Sequence, residues 1–340
     1  MRTAKLVCHL TLSVVVAGCA SSSPTAKTEP ANPPAAATEK PSPATQKPAA
    51  PSTQKSAPGT VKPGSPAAPQ ATNATPAAPA APKAMIATSG DGTKIAYEVT
   101  GSGPAVLLVH GGGQTRRTWN QLGYVDRLSK RFTVITFDQR GIGESDKPMA
   151  PAAYALDRVL GDLLAVADAA KAQRFHLWGF GHGATIGRHV AARSDRVISA
   201  VLVGATMGPT VTGVFKDAIT GMKAKWQPAI DAQAAGKLDV AKLSPSDRAA
   251  WEGGMAVTVF TLTALMDFPA VEPAEIKAPT LWVMGADDSA MENVKQYEAK
   301  LAATKVTLKI LPSINYSDSF IKMDQVMSEV EPFLIKHAAT

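Results

Sequence analysis

The chain has no cysteine after residue 19, because its two cysteines are Cys8 and Cys19. From Met85 onward, disulfides, thiolate nucleophiles and metal sites built from cysteine are therefore excluded. The sequence also lacks a Gly-x-Gly-x-x-Gly turn with a later acidic partner and a Walker lysine, the patterns that hold phosphate groups. We therefore expect neither a cofactor nor a metal.

Aromatic residues are missing from residues 20–83, where Val61 is the only large aliphatic side chain. The segment consists almost entirely of proline, alanine, serine, threonine, lysine and glutamine. Such a composition buries too little apolar surface to offset the entropy of ordering the chain. We predict that residues 19–84 form a disordered stalk, which is semi-rigid and biased toward polyproline II. Residues 85–340 then form one folded domain.

A strong basic patch is also missing from the predicted domain. The formal net charge of the chain is +7, but most of that charge comes from Arg2, Lys5 and the stalk lysines. The remainder of the chain is close to neutral, whereas a nucleic-acid-binding domain carries a basic face. Nucleic acid is therefore not an expected partner.

No hydrophobic run near the N-terminus is long enough for a permanent transmembrane helix, because the apolar stretch covers only residues 6–16. Two basic residues, Arg2 and Lys5, precede it and small residues follow it, as in a secretory signal. We predict a signal peptide over residues 1–18.

The residues Val-Ala-Gly-Cys at positions 16–19 resemble the lipobox of bacterial lipoproteins. The resemblance implies that Cys19 is acylated and becomes the first residue of the mature chain, which anchors the protein in a membrane of the bacterial cell envelope. Ala20 replaces the aspartate of the inner-membrane retention signal, which favours the outer membrane where two membranes are present. The simpler alternative is an ordinary secretory signal with an incidental cysteine.

Short apolar runs alternate with helical patterns after Met85, which predicts an α/β domain with a mainly parallel sheet. A hairpin over Met85–Thr88 and Lys94–Thr100 opens it. The further predicted strands are Ala105–Val109, 132–137, 175–178, 200–203, 280–284 and Val306–Leu311. The predicted helices are 119–130, 154–171, 184–193 and 323–337, with a helical cap inserted at about 207–271.

Three motifs follow predicted strands: His-Gly-Gly-Gly at 110–113, Asp-Gln-Arg-Gly-Ile-Gly-Glu-Ser at 138–145, and Gly-Phe-Gly-His-Gly at 179–183. In this order they resemble the α/β-hydrolase superfamily. The resemblance implies a mainly parallel central sheet with helices on both faces and a small helical cap. It also makes Gly111, Gly112 and Gly113 the oxyanion loop, whose backbone amides face developing negative charge. Ser145 belongs to a motif that is structural in the family, so we do not assign it as a displaced nucleophile.

Two positions of the implied catalytic triad hold residues that cannot perform the chemistry. Gly181 stands where the family has its nucleophile, and glycine has no side chain for attack. Tyr316 stands at the position of the histidine, and no histidine lies between His189 and His337. Only the acid is kept, with Asp288 as the better match and Asp287 as the next one.

Loss of the nucleophile or base of such a triad removes on the order of 10⁶-fold in rate. We therefore predict a non-catalytic domain that binds a small apolar ligand or a protein partner in the former active-site cleft. One alternative is a hydrolase with His182 as a surrogate base, assisted by Asp288 and Tyr316. Another is a structural role in the envelope. On the non-catalytic interpretation, His182 packs against the cap and Tyr316 fills space while hydrogen-bonded to Asp288.

Overall fold

The computed structural model describes residues 84–338 of the chain. The predicted signal peptide, the lipidation site Cys19 and the stalk up to residue 83 lie outside the described residues. None of the helices within residues 84–338 is both long enough and apolar enough to cross a membrane.

The described residues form a sheet of eight strands in the order β1-β2-β4-β3-β5-β6-β7-β8. The first two strands form the predicted hairpin, and β2 also pairs antiparallel with β4. All remaining pairs are parallel. The strands are β1 (Met85–Thr88), β2 (Lys94–Thr100), β3 (Ala105–Val109), β4 (Thr133–Phe137), β5 (Phe175–Phe180), β6 (Val197–Val203), β7 (Thr280–Gly285) and β8 (Val306–Leu311).

The central strands are buried on both faces, as their continuous apolar sequences require. Every residue of β5 and β7 is buried. Two separate apolar clusters pack against the sheet, and alternate residues of β3 belong to different clusters: Leu107 joins one and Leu108 the other. A mainly parallel sheet covered on both faces confirms the predicted α/β architecture.

Eleven α-helices occur among the described residues. They are α1 (Arg116–Gln121), α2 (Tyr124–Leu128), α3 (Leu156–Ala169), α4 (His182–Arg193), α5 (Gly213–Ala234), α6 (Pro245–Glu252), α7 (Met255–Leu265), α8 (Met291–Lys295), α9 (Glu298–Leu301), α10 (Asp318–Ile321) and α11 (Met323–Ala338).

The single helix predicted over residues 119–130 is wrong, because α1 and α2 are separate. Gly123 lies between them with φ of 82°, a left-handed conformation that ends one helix and redirects the chain into the next. The break lets Trp119 and Tyr124 pack edge to face, with ring centroids 5.1 Å apart.

Helices α5, α6 and α7 form the predicted cap between β6 and β7. Backbone hydrogen bonds between Gly208 and Val271 join its two ends. Inside the cap, Trp226 and Ile230 of α5 are buried in one apolar cluster with Phe260 of α7. Tyr154, in the 3-10 helix before α3, belongs to the same cluster and so packs the cap against the body of the domain.

Candidate functional site

The turn between β5 and α4 is the centre of the candidate site. Gly181 occupies it with φ of 52° and ψ of −112°. The Gly181 N–H donates to Val203 O at 2.8 Å, and the Thr185 N–H donates to Gly181 O at 2.9 Å. These two bonds hold the turn against β6 on one side and start the helix on the other.

The flanking glycines allow strand and helix to approach closely. A Cβ atom added to Gly179 would lie 2.4 Å from Gly183 O, and one added to Gly183 would lie 2.1 Å from Val109 O. Neither position tolerates a side chain without backbone movement. The close approach of strand and helix that a nucleophile turn requires is therefore present, and glycine occupies the position predicted for the nucleophile.

Tyr316 fills the space that a side chain at position 181 would take. A Cβ atom added to Gly181 would lie 2.1 Å from Tyr316 Oη. The phenol ring packs 5.0 Å from the ring of Phe180, and a Cβ atom added to Gly204 would lie 3.1 Å from its edge. Two positions far apart in sequence are thus complementary in shape.

Asp288 follows β7 and is buried, whereas its neighbour Asp287 is exposed. Its Oδ1 accepts from the Ala290 N–H at 2.8 Å, but its buried Oδ2 has no hydrogen-bond partner among the described residues. The predicted hydrogen bond from Tyr316 to Asp288 is therefore wrong. The carboxylate is near the phenol, since Asp288 affects the pKa of Tyr316, but no hydrogen bond joins them within residues 84–338.

The surroundings raise the pKa of both groups. Burial raises the pKa of Asp288, with the Ala290 N–H partly opposing the shift. Burial also raises the pKa of Tyr316, and the nearby Asp288 carboxylate raises it further. Tyr316 is therefore a protonated phenol at neutral pH.

His182 is the first residue of α4, and its Nδ1 is buried without a hydrogen-bond partner. Burial lowers its pKa to about 4, with a smaller contribution from His110. The imidazole is therefore neutral at pH 7. Within residues 84–338 it has no hydrogen bond or ion pair with Asp288 or Tyr316, so the proposed surrogate base is not oriented by a carboxylate as in a triad.

The oxyanion loop lies beside this turn. The Gly111 N–H already donates to Gln114 Oε1 at 2.8 Å. Gly113 is exposed with φ of 72°, and Gly112 is partly buried between them. His110 supports the loop, since its Nδ1 bonds Gly111 O at 2.8 Å and its Nε2 accepts from the Gln139 N–H at 3.1 Å. This pairing assigns the proton to Nδ1 of a neutral imidazole.

Asp138 and Ser145 of the 138–145 motif form hydrogen bonds with backbone groups. Asp138 accepts from the backbone N–H groups of Arg116 and Glu144, at 2.7 and 2.9 Å. Ser145 Oγ donates to Asp138 O at 2.6 Å and accepts from the Ala96 N–H at 2.9 Å. A hydroxyl committed to two buried backbone groups is not available as a displaced nucleophile.

A cavity of about 370 Å³ lies away from this turn, between the cap and the start of α3. None of the residues Gly181, His182, Asp288 and Tyr316 lines it. Sequence reasoning missed it because its walls come from three separate segments with no shared motif. The lining residues are Pro151, Ala152, Ala155, Leu156, Lys223, Gln227, Val259, Phe260, Thr263, Ala264, Asp267 and Phe268.

No group of three or more histidine, aspartate, glutamate or cysteine side chains within residues 84–338 is placed to hold a metal ion. Fold and site together define an α/β domain built around a strand–turn–helix elbow with a helical cap, in which glycine occupies the elbow position 181.

Comparisons with known proteins agree with this class. A family model described as alpha/beta hydrolase fold matches residues 104–260. An uncharacterized protein of Mycobacterium tuberculosis is 37% identical over 122 residues, which cover 35% of this chain and 34% of that protein. Epoxide hydrolase 3 of Siraitia grosvenorii is 32% identical over 114 residues, covering 33% of this chain and 35% of that protein. The chain thus spans about a third of the length of these curated relatives.

The crystal structure of an epoxide hydrolase from Vigna radiata superimposes with a TM-score of 0.59 at 16% identity, covering 75% of this chain and 98% of that one. At this identity the likeness concerns the fold alone. With the family model and the sheet order described above, it shows that the domain has the α/β-hydrolase fold.

Proposed function

We propose that this protein is a non-catalytic α/β-hydrolase-fold domain that binds a small, largely apolar ligand and is held at a membrane through Cys19. The observation that carries the proposal is the pairing of Gly181 with Tyr316. One position has no side chain, and the hydroxyl of the other occupies the volume of the missing one.

The magnitude of the loss supports a binding role. A triad without its nucleophile and base retains roughly 10³- to 10⁴-fold acceleration over water, from binding and oxyanion contacts alone. The raised pKa of Tyr316 keeps its phenol protonated, and the neutral imidazole of His182 has no hydrogen bond to Asp288 within residues 84–338 that would orient it as a base. Retention of the fold and the cap without the chemistry favours ligand binding.

The similarity to epoxide hydrolases makes epoxide hydrolysis a second reaction to test beside ester hydrolysis. Several of the matched proteins are epoxide hydrolases. The resemblance to the superfamily allows aspartate as well as serine at the elbow, and Gly181 supplies neither. Both ester and epoxide hydrolysis therefore belong in the assay.

We would assay the full-length chain with nitrophenyl esters of short acids and with styrene oxide. The references are the double variants Gly181→Ser/Tyr316→His for esters and Gly181→Asp/Tyr316→His for the epoxide. We expect background rates for wild type and measurable turnover for at least one reference variant, since the oxyanion loop and Asp288 remain. Turnover by wild type well above background would contradict the non-catalytic assignment.

The second candidate is a hydrolase of small ester-like substrates that uses His182, Asp288 and Tyr316. The observation in its favour is that His182 Nδ1 and Asp288 Oδ2 are both buried and unpartnered within residues 84–338, so each has bonding capacity to offer a bound molecule. Any activity found in wild type should then disappear in His182→Ala. Full activity of that variant would exclude His182 as the base.

Membrane attachment has its own test. We expect Cys19→Ala to move the protein from the membrane fraction to the soluble fraction and to abolish labelling by radioactive palmitate. Cys8→Ala is the matched control, because Cys8 lies inside the predicted signal peptide, and it should change neither result. Membrane retention of Cys19→Ala together with loss of label would mean that something other than the lipid holds the protein there.

A further inference from the structure

We propose that the edge of the sheet at which the parallel strands begin docks the domain onto a membrane surface that carries anionic lipid headgroups. This inference rests on the membrane attachment proposed through Cys19 and assigns the face that the domain turns toward the membrane. The elbow lies at the opposite edge of the sheet, at the carboxyl end of β5, so this orientation directs it away from the lipids.

The charges of the domain are unevenly placed, although their sum is close to zero. The strands β4, β5, β6, β7 and β8 run in one direction in the same sheet, so the segments that lead into them lie at one edge. Each of these segments contains basic residues shortly before its strand. They are Lys130 and Arg131 before β4, Lys171 and Arg174 before β5, Arg193 and Arg196 before β6, Lys277 before β7, and Lys305 before β8. We call this set the basic edge.

Contacts between neighbouring segments join the basic edge into a continuous row. The Arg196 guanidinium donates to Gln173 O at 2.9 Å and joins the segments before β5 and β6. Lys277 forms an ion pair with Asp195 at 3.1 Å, which joins the segments before β6 and β7. Lys305 Nζ donates to Lys277 O at 2.7 Å and adds the segment before β8.

Two further contacts extend the row at its other end. Phe132, directly before β4, packs edge to face with His176 of β5, with ring centroids 5.9 Å apart. Burial lowers the pKa of His176 to about 4, and His337 and Arg174 lower it further, so the end of α11 lies near the start of β5. Lys336, the neighbour of His337, is exposed. The row therefore runs from β4 to β8 and includes the end of α11.

Much of the charge in this row is available to an outside partner. Within residues 84–338, no ion pair involves the exposed residues Lys130, Arg131, Lys171, Arg174 and Lys305. Three other members of the basic edge are paired: Arg193 with Asp157, Arg196 with Asp168, and Lys277 with Asp195. Glu275 shares an open groove with Lys277 and Lys305. The excess of positive charge is therefore greatest before β4 and β5.

The opposite edge of the sheet has no such excess. The segments between β3, β6 or β8 and the next helix contain no charged residue, and the segment after β7 contains Asp287 and Asp288. In the segment 138–150 after β4, acidic residues outnumber basic ones by three to two. An anionic surface is therefore attracted to the edge at which the strands begin, and the elbow stays open to the aqueous side.

The length of the row fits a membrane surface better than a single small anion. Six adjacent strands, from β4 to β8 with β3 between them, span about 24 Å at a spacing of about 4.8 Å. Acylation of Cys19 would keep the domain close to such a surface. Basic residues near anionic lipids each raise membrane affinity by about 5-fold. A nucleic acid is a less suitable partner, because the domain as a whole is close to neutral.

The test measures cosedimentation of the full-length Cys19→Ala chain with vesicles, so that no acyl chain on this residue contributes. One set of vesicles contains phosphatidylglycerol and phosphatidylcholine, and the other contains phosphatidylcholine alone. We expect tighter binding to the anionic vesicles, with most of the difference lost at high salt. Residues 1–83 are otherwise the same in every variant, so a difference between variants comes from the domain.

The decisive variant is Lys130→Gln/Arg131→Gln/Arg174→Gln, made in the Cys19→Ala chain. It removes three unpaired charges of the basic edge. We expect its affinity for the anionic vesicles to fall on the order of 100-fold, at about 5-fold for each charge. Circular dichroism verifies that the fold is retained.

The matched control is Lys216→Gln/Lys223→Gln/Lys237→Gln in the same chain. These lysines are exposed, lie in the cap and form no ion pair within residues 84–338. The control changes the net charge by the same amount as the edge variant. It should leave the affinity for the anionic vesicles nearly unchanged.

Three outcomes would overturn the inference. The first is equal binding of the Cys19→Ala chain to the two sets of vesicles, and the second is an equal change of affinity in the edge variant and the control. The third is binding of a DNA duplex that the edge variant loses while its vesicle binding stays, which would assign the edge to nucleic acid. Failure of the Cys19 proposal is seen separately, in palmitate labelling and fractionation, because the vesicle assay uses a chain without that cysteine.

Discussion

At position 181, the absence of a side chain leaves space that Tyr316 fills. In a nucleophile turn, the backbone is arranged to present one side chain. Here the same backbone presents none, and the space is closed by a phenol from the loop after β8. The turn is therefore a contact between two loops, and this contact depends on a residue with no Cβ atom at position 181.

We predict that Gly181→Ala destabilises the domain by about 2–4 kcal/mol, because the new methyl group overlaps Tyr316 Oη and φ is positive. The cost should be about 1–2 kcal/mol smaller in a Tyr316→Phe background, where the overlapping atom is absent. Urea unfolding of the wild type, both single variants and the double variant measures the coupling.

The matched control is Gly221→Ala in α5, where an added Cβ has open space and the backbone is helical. That change should leave stability unchanged or raise it by about 0.5–1 kcal/mol. Strict additivity of Gly181→Ala and Tyr316→Phe would mean that the two positions do not share their volume in solution.

At the residue scale, the sequence located the elbow and Asp288 because each follows a buried strand and a glycine-containing turn. It could not show that Tyr316 Oη fills the place of the side chain at 181, because that depends on how two loops meet. The predicted bond from Tyr316 to Asp288 failed for the same reason.

At the scale of elements, helix α4 links the elbow to the base of the cap through Arg188. This fully buried guanidinium donates to Thr206 O at 2.8 Å and to Thr210 Oγ1, both in the segment that leads from β6 into the cap. Burial lowers its pKa to about 10, with Tyr297 and Glu272 partly opposing the shift, so it stays charged at pH 7.

We predict that Arg188→Met loosens the entrance of the cap, because Thr206 O and Thr210 Oγ1 lose their donor. Amide hydrogen exchange at residues 206–212 should accelerate by about 10-fold, corresponding to roughly 1.4 kcal/mol. Arg193→Met is the control, since Arg193 lies on the same helix and, within residues 84–338, forms an ion pair with the exposed Asp157. Equal exchange in both variants would show that Arg188 does not hold this segment.

The elements themselves were predicted to different degrees. All eight strands were predicted, because continuous apolar runs leave few other arrangements for a parallel sheet, although β5 and β6 extend beyond the predicted 175–178 and 200–203. The break at Gly123 was missed because the apolar pattern continues across it, although the glycine was visible in the sequence. Helices α8, α9 and α10 were missed because they have only four or five residues, too few for a helical period to show.

For the whole molecule, buried histidines predict sensitivity to acid. Burial is the main cause that lowers the pKa of His176 to about 4, of His182 to about 4 and of His189 to about 3. In the unfolded chain these groups have pKa values near 6.5 and take up protons that the folded domain does not. Their contribution to stability is complete above about pH 6.5 and is lost as the pH falls toward 4.

We therefore predict that the free energy of unfolding decreases between pH 6.5 and pH 5, by about 1–2 kcal/mol for each of the three histidines. His189→Leu should reduce this decrease by the contribution of one histidine. Both ring nitrogens of His189 lack partners among the described residues, and the ring packs on Phe268. Urea unfolding across this pH range measures the slope, and an unchanged slope in His189→Leu would exclude its contribution.

The shared volume of Gly181 and Tyr316 also imposes an order on sequence change. A chain with serine at 181 and histidine at 316 cannot accept the tyrosine before the serine has become glycine, because the two side chains would overlap. For the reverse change, Tyr316 must be replaced before a serine is introduced at 181. The intermediate sequence then has free space at the elbow and glycine at 181. Steric packing thus makes the order of substitutions at these two positions matter, because only one order avoids the overlap.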